Sequence, residues 1–201
     1  MPEDGSPGSV RAMLRAATDA QHQRLHVLPA FAALAEGRIA LHDYAALLQR
    51  KLGFHAALDA RLEGVDDLAA LGIDLAERRR TPLLRDDLRW LGMSDAVPLA
   101  PLPVLRGAAE AMGALYVAEG STLGGRQLAR ALDGLLPPGE DGRRFLLGHG
   151  ARHGAMWRDF CGALERCGAD LAARDAMIAG AIATFAAFEA WFSVPEAIAA
   201  A

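Results

Sequence analysis

The run from about Val104 to Leu136 constrains this chain most. It is apolar and helix-favouring, yet its centre, MGALYVAEGSTLGGRQL at 112–128, carries Gly113, Gly120, Gly124 and Gly125. Each glycine inside a helix costs roughly 1 kcal/mol relative to alanine, so a helix that keeps this many gains something from them. At about 100° per residue, Gly113, Gly120 and Gly124 fall within about 40° of one another. They make a bare stripe on one face, where a flat ligand or another backbone can come close. Gly124-Gly125 also predicts a bend or a loosened turn. Spacing alone leaves two readings open: small-residue helix packing, or a helix laid across a planar ligand with backbone as the contacting surface.

The rest of the chain favours helices too. Ala and Leu are abundant, β-branched residues are few, and no segment reads as a strand, which gives an all-α fold. A length of 201 residues suffices for one domain with a substantial core. The net charge of −4, with no basic stripe interleaved with aromatics, speaks against nucleic acid. No run of 18 apolar residues is present, so no membrane span is expected. The first nine residues, MPEDGSPGS, lack the apolar core of a signal peptide, and a cytoplasmic location follows as the expectation. Cys161 and Cys167 form no CxxC and are expected to be reduced. Arginine is used almost to the exclusion of lysine, Lys51 being the only one; this reads first as genomic bias.

The organisation expected is a disordered polar tail over 1–8, a helical domain over 9–193 and an Ala-rich tail over 194–201. Ser9 can cap a first helix reaching about Leu28. Arg11, Arg15, Thr18 and His22 share one of its faces, with His26 a turn beyond. A solvated polar face is one reading. The other is a metal ligand with an anion clamp behind it, since neutral imidazole binds metals and arginine forks bind carboxylates. Further helices are expected over 29–36, 41–63, from Thr81 as cap with Pro82 at the first position, over 104–136, 142–166 and 170–192. A proline-rich connector spans 95–103. Six or seven helices in one bundle-like domain is the architecture expected.

Three stretches, in this order and at these separations, resemble the haem oxygenase family, in particular its bacteriophytochrome-associated bacterial branch. LRAATDAQHQRL at 14–25 resembles the family's proximal helix. ALYVAEGSTLGGRQL at 114–128 resembles its distal helix. WRDFCGAL at 157–164 pairs with FAAFEAWF at 185–192. The resemblance implies a multi-helix bundle that holds haem between the proximal and distal helices, with haem as both cofactor and substrate. It implies His22 as the axial ligand to the iron, and Gly120 and Gly124 as the distal glycines beside the bound O2. Arg15 and Arg158 match positions that pair with haem propionates, and Phe185 and Phe192 match aromatic positions of the pocket. Thr18 and Tyr116 fall among the haem-contacting positions. Ser121 stands where many members carry an aspartate that orders distal water. His26 replaces a residue that is often acidic, and Gly154 a basic one, with Arg152 and His153 beside it.

By the same resemblance the products are biliverdin, CO and ferrous iron. Electrons come from an external reductant of the ferredoxin type, and the bilin serves a bacteriophytochrome. Two rival readings stand beside this one. The first is a non-catalytic haem carrier or sensor on the same scaffold. The second is a related helical fold in which Cys161 and carboxylates such as Glu119 act on thiamine-like compounds.

Overall fold

The computed structural model describes residues 8–194. The tails expected at 1–8 and 194–201 lie outside the described residues except for Gly8 and Val194. All described elements are helical: α1 (Val10–His26), α2 (Pro29–Ala35), α3 (Leu41–Glu63), α4 (Leu75–Arg78), α5 (Thr81–Trp90), α6 (Ala108–Gly120), α7 (Gly125–Ala131), α8 (Arg144–Leu147), α9 (His153–Cys167) and α10 (Leu171–Ser193), with short 3-10 turns at Ala69–Leu71 and Gly150–Arg152.

Local sequence sets most helix starts. Ser9 and Asp170 each accept a hydrogen bond from a backbone N–H three residues on, at 3.1 and 2.8 Å, which satisfies a donor that the first turn leaves open. Pro29 begins α2 where its missing N–H costs nothing. At α6, Gly107 provides no side-chain cap; the Glu110 carboxylate instead accepts from the Arg106 N–H at 2.9 Å. Three expectations need correction. Thr81 does not cap α5: the helix already includes it, and its hydroxyl donates to Asp59 on α3. The helix expected over 142–166 is broken into α8 and α9, because Gly148 and Gly150 take φ of 59° and 57°, a region open to glycine at little cost. The run 104–136 is likewise two helices, and the chain between Gly120 and Gly125 passes through turns.

The core is organised by α6 and α10, which are apolar on nearly all sides, as central helices are. They cross with backbone against backbone. A Cβ on Gly113 would drive into the Met177 carbonyl, and one on Gly180 into the Glu110 carbonyl. Helix α10 is also the one described helix long and apolar enough to cross a membrane, with a mean hydropathy of 1.4. The expectation that no such segment exists is corrected to that extent. Its Met177 and Ala181 are buried against α6, Phe185 meets α1, and Phe188 packs on Phe54 of α3 and Phe31 of α2.

Helix α8 is only one turn long and is held by distant residues. The Arg144 and Phe145 N–H groups donate to Asp87 Oδ1 and Oδ2 at 2.8 and 2.9 Å. Leu146 then packs its carbonyl onto Gly125, so Asp87 helps to fix where α7 begins. Burial pushes the Asp87 carboxyl up to about 6, against the pull of those two backbone donors and of the Arg144 charge. Between pH 4 and 6 the folded chain keeps a proton that the unfolded chain has released. Stability from this group is therefore greatest at the acid end and falls as pH rises through 6, by up to about 3 kcal/mol for a shift of this size. Melting curves of the wild type and Asp87→Asn between pH 4 and 7 are expected to change in relative height over this window, with the wild type losing ground as pH rises. Parallel curves would show that the carboxyl titrates normally.

Candidate functional site

The proximal and distal elements are tied together before any ligand is considered. Thr18, 2% exposed, donates to the Leu14 carbonyl at 2.8 Å and is hydrogen-bonded to the Tyr116 hydroxyl, linking α1 to α6. Burial raises the Tyr116 hydroxyl above the usual tyrosine range, so it stays protonated. Its ring packs on Trp157 of α9, with centroids 6.4 Å apart. At the end of α1, Arg24 makes two hydrogen bonds to Glu189 of α10, at 2.8 and 2.9 Å. Helix α1 is thus tied to α6 near its middle and to α10 at its end.

His22 is exposed on α1 and meets Phe185 edge-on, with ring centroids 6.4 Å apart. His26 lies 4.6 Å from it, centroid to centroid. Partial burial holds the His22 imidazole below its ordinary pKa; the His26 and Arg15 charges add to this, and Asp19 opposes it. The ring is therefore kept neutral, the form that binds a metal. Among the described residues no three His, Cys, Asp or Glu side chains converge to hold an ion. One neutral imidazole suits a metal that brings its other ligands with it.

The glycines of the distal run divide into two kinds. A Cβ on Gly113 or Gly125 would strike backbone, whereas a Cβ on Gly120 or Gly124 meets nothing within 4 Å. Gly124 has φ −87°, so its geometry does not require glycine either. Packing explains the first pair. The second pair borders open space at the turn where α6 ends. A flat group could lie against bare backbone there, which is the fit expected for a macrocycle ligated by His22. Ser121 is in the same turn, but its hydroxyl donates to the Ala118 carbonyl at 2.7 Å, leaving its lone pairs as acceptors.

The remaining expected site residues are dispersed. Arg15 lies on the exposed surface of α1, close enough for its charge to act on His22. Arg158 is exposed on α9, alongside Gly154. Phe192 packs in a cluster with Phe31 and Phe188, at centroid distances of 5.1 and 4.3 Å. Cys161 is a free thiol that burial pushes above its ordinary pKa, the reverse of an activated nucleophile. That removes the support for the thiamine-type hydrolase reading.

Behind the distal turn is a buried polar group that sequence reasoning did not assemble. Glu119 pairs with Arg78 at 3.2 Å, each side chain under a tenth exposed. Thr122 donates to the Glu119 carbonyl at 2.6 Å and lies 3.0 Å from His153 Nε2. Arg80 stacks on Phe145 with its guanidinium carbon 4.0 Å from the ring centroid. A cavity of about 20 Å3 lies among His55, Asp59, Arg78, Arg80 and Glu119, room for about one water. The available signal was the charge-rich stretch ERRR at 77–80; a charge run usually marks a solvated face, and here the fold buries Arg80.

Comparison with known proteins agrees with this geometry. The description "Heme oxygenase" fits residues 9–194. A heme oxygenase of Xanthomonas campestris pv. campestris is 40% identical over 164 residues, spanning 78% of this chain and 92% of that protein. The NO- and CO-bound heme oxygenase of Neisseria meningitidis superposes with a TM-score of 0.78 at 26% identity, covering 95% of this chain and 96% of that one. The heme complex of heme oxygenase-1 from the cyanobacterium Synechocystis shares the fold, with a TM-score of 0.73 at 16% identity over 92% of this chain and 91% of that one. The family match over residues 9–194, with a relative of 40% identity covering most of both chains, places the chain in the heme oxygenase family.

Proposed function

We propose that this haem oxygenase works through His22 and the Gly120–Gly124 turn, and that its bilin product supplies a bacteriophytochrome. The observation that carries the site reading is the open space beside Gly120 and Gly124, next to other glycines of the same run that are pressed onto backbone. When bound, haem supplies an iron that activates O2 and a macrocycle that is itself oxidised to biliverdin, with release of CO and ferrous iron. The protein's part is to hold and steer. His22 would hold the iron as a neutral ring. The bare backbone at Gly120 and Gly124 would narrow the haem pocket, so that only small molecules fit there. Ser121 holds water through its lone pairs, since its hydrogen is engaged by Ala118. Arg15 and Arg158 hold the propionates by paired hydrogen bonds. Thr18, Tyr116, Phe185 and Phe192 complete the pocket, where rings exclude bulk water.

The reductant is external, of the ferredoxin type, and the setting is the cytoplasm. The test is to add haem to the purified chain and follow its spectrum in air while a ferredoxin system supplies electrons, with catalase present to remove free peroxide. Loss of the Soret band with growth of a biliverdin band is expected. A stable, ligated haem that never turns over would replace this reading with the carrier or sensor.

A further inference from the structure

The stretch HQRLH at 22–26 puts two imidazoles four residues apart, and such positions are neighbours on one helix face. Helix α1 stays regular through both, from Val10 to His26. The two ring centroids lie 4.6 Å apart with their planes at 81°, and both side chains are exposed, free to turn about their own bonds. The haem reading uses His22 alone and leaves His26 without a task.

The spacing of the rings is that of a chelate. Metal–nitrogen bonds are about 2.0–2.1 Å long, so two imidazoles in neighbouring positions on one ion have ring centres about 4.5–5 Å apart. Histidines paired at i and i+4 on one helix face bind zinc in the same way. Once one ring is bound the other is already within reach, at an effective concentration on the order of millimolar or more.

The surroundings accept a cation. On α1 itself, the Asp19 charge acts on His22 and Arg15 opposes it. Arg24, between the two histidines in sequence, is engaged by Glu189 of α10 through two hydrogen bonds, and that pair is neutral. The α10 side chain that meets the His22 ring is the uncharged Phe185.

The other histidines do not repeat the arrangement. His149 and His153 have the same spacing in sequence, but the φ of 57° at Gly150 breaks the helix between them, and His153 Nε2 lies 3.0 Å from the Thr122 hydroxyl. His55 is buried, and His42 Nδ1 lies 3.3 Å from Asp43.

Among the described residues no group of three His, Cys, Asp or Glu converges, so water must fill the remaining positions on the ion. Structural zinc sites take four protein ligands. Late divalent ions such as Ni2+ and Cu2+ stand at the strong end of the binding order for nitrogen ligands, which suits a site with only two.

We propose that His22 and His26 chelate one late divalent transition-metal ion, Ni2+ or Cu2+, in the haem-free chain, and that ion and haem exclude each other at His22. The exclusion rests on the haem reading above; the chelation does not. A chain occupied in this way is closed to haem until the ion leaves.

The experiment uses the full haem-free chain at pH 7.5, titrated with Ni2+ in a calorimeter, followed by haem uptake read by absorption with and without saturating Ni2+. The wild type is expected to bind one Ni2+ through this pair. His22→Ala and His26→Ala are each expected to weaken that binding by about tenfold or more, the loss of the chelate's second arm. The double variant is expected to be no weaker than either single one, because the two rings act as a unit. Ni2+ is expected to hold back haem in the wild type and to leave haem uptake by His26→Ala unchanged. Full Ni2+ affinity in either single variant overturns the chelate. Equal haem uptake by the wild type with and without Ni2+ overturns the exclusion. A wild type that binds Ni2+ through both rings yet takes up no imidazole-ligated haem overturns the haem reading and the exclusion, while the chelate stands.

Discussion

Alanine at His22 is expected to abolish the imidazole-ligated haem spectrum, with the ligation restored by free imidazole added to the variant. On the proposed reading, His22 is the ring that ligates the iron. His22 is kept neutral by partial burial and by the His26 charge, and Phe185 packs against its edge. No group of three potential ligands is found among the described residues to take over. On that reading, loss of the ring would remove the single protein bond to the metal. The fold should survive, because an exposed side chain on α1 supports little of the core. His26, with its ring 4.6 Å away, is the one neighbour able to substitute. An unchanged spectrum in His22→Ala, lost in His26→Ala, would move the ligand one turn along the helix.

Substitutions of the distal glycines are expected to separate into two opposite phenotypes. Leucine at Gly120 or Gly124 meets no protein atom near its Cβ, and the backbone at Gly124 is already in the ordinary helical region. The new side chain meets open space, so melting should hold steady and haem uptake should change little. Turnover should fall by about 100-fold or more, because small displacements of reacting groups are that costly. Gly113→Ala should do the reverse. Its methyl would collide with the Met177 carbonyl and the Ala181 nitrogen, and the α6–α10 crossing cannot open locally. A loss of about 3 kcal/mol is expected, at the upper end of overpacking costs, read as a lower melting temperature with residual activity per folded molecule intact. If all three variants lost haem and stability together, every glycine of the run would be a packing residue.

The distal run illustrates why the sequence was only partly legible. Periodicity placed Gly113, Gly120 and Gly124 on one stripe and allowed both packing and ligand contact. Packing occupies Gly113, while Gly120 and Gly124 are left open. Gly113 lies against α10, which is remote in sequence, and Gly120 and Gly124 lie past the point where that helix stops covering the stripe. The turn at 121–124 was expected one or two residues later, at Gly124-Gly125. The apolar spacing of 142–166 continues across Gly148 and Gly150 and so predicts one helix, whereas their positive φ breaks it.

Side-chain roles show the same division. The Ser9 cap could be read directly, since cap and N–H are three residues apart, and Asp170 obeys the same rule. Thr81 looked like a cap by the same rule, yet it bonds to Asp59, 22 residues away. Lys51 was visible as the single lysine, and nothing local marked it as buried.

What the sequence determined by itself is local in origin: the all-helical class, most helix starts, the neutral-ring candidate His22, and the family to which three ordered motifs belong. These follow from interactions within a turn or two of helix, where spacing is information enough. Only the tertiary structure decided which glycines are open and which charges are buried. Burial and pairing depend on residues such as Asp87 and Phe145, 58 positions apart in the chain. Desolvation, which sets the protonation of Asp87, Lys51 and Glu119, exists only once those distant surfaces have closed over them.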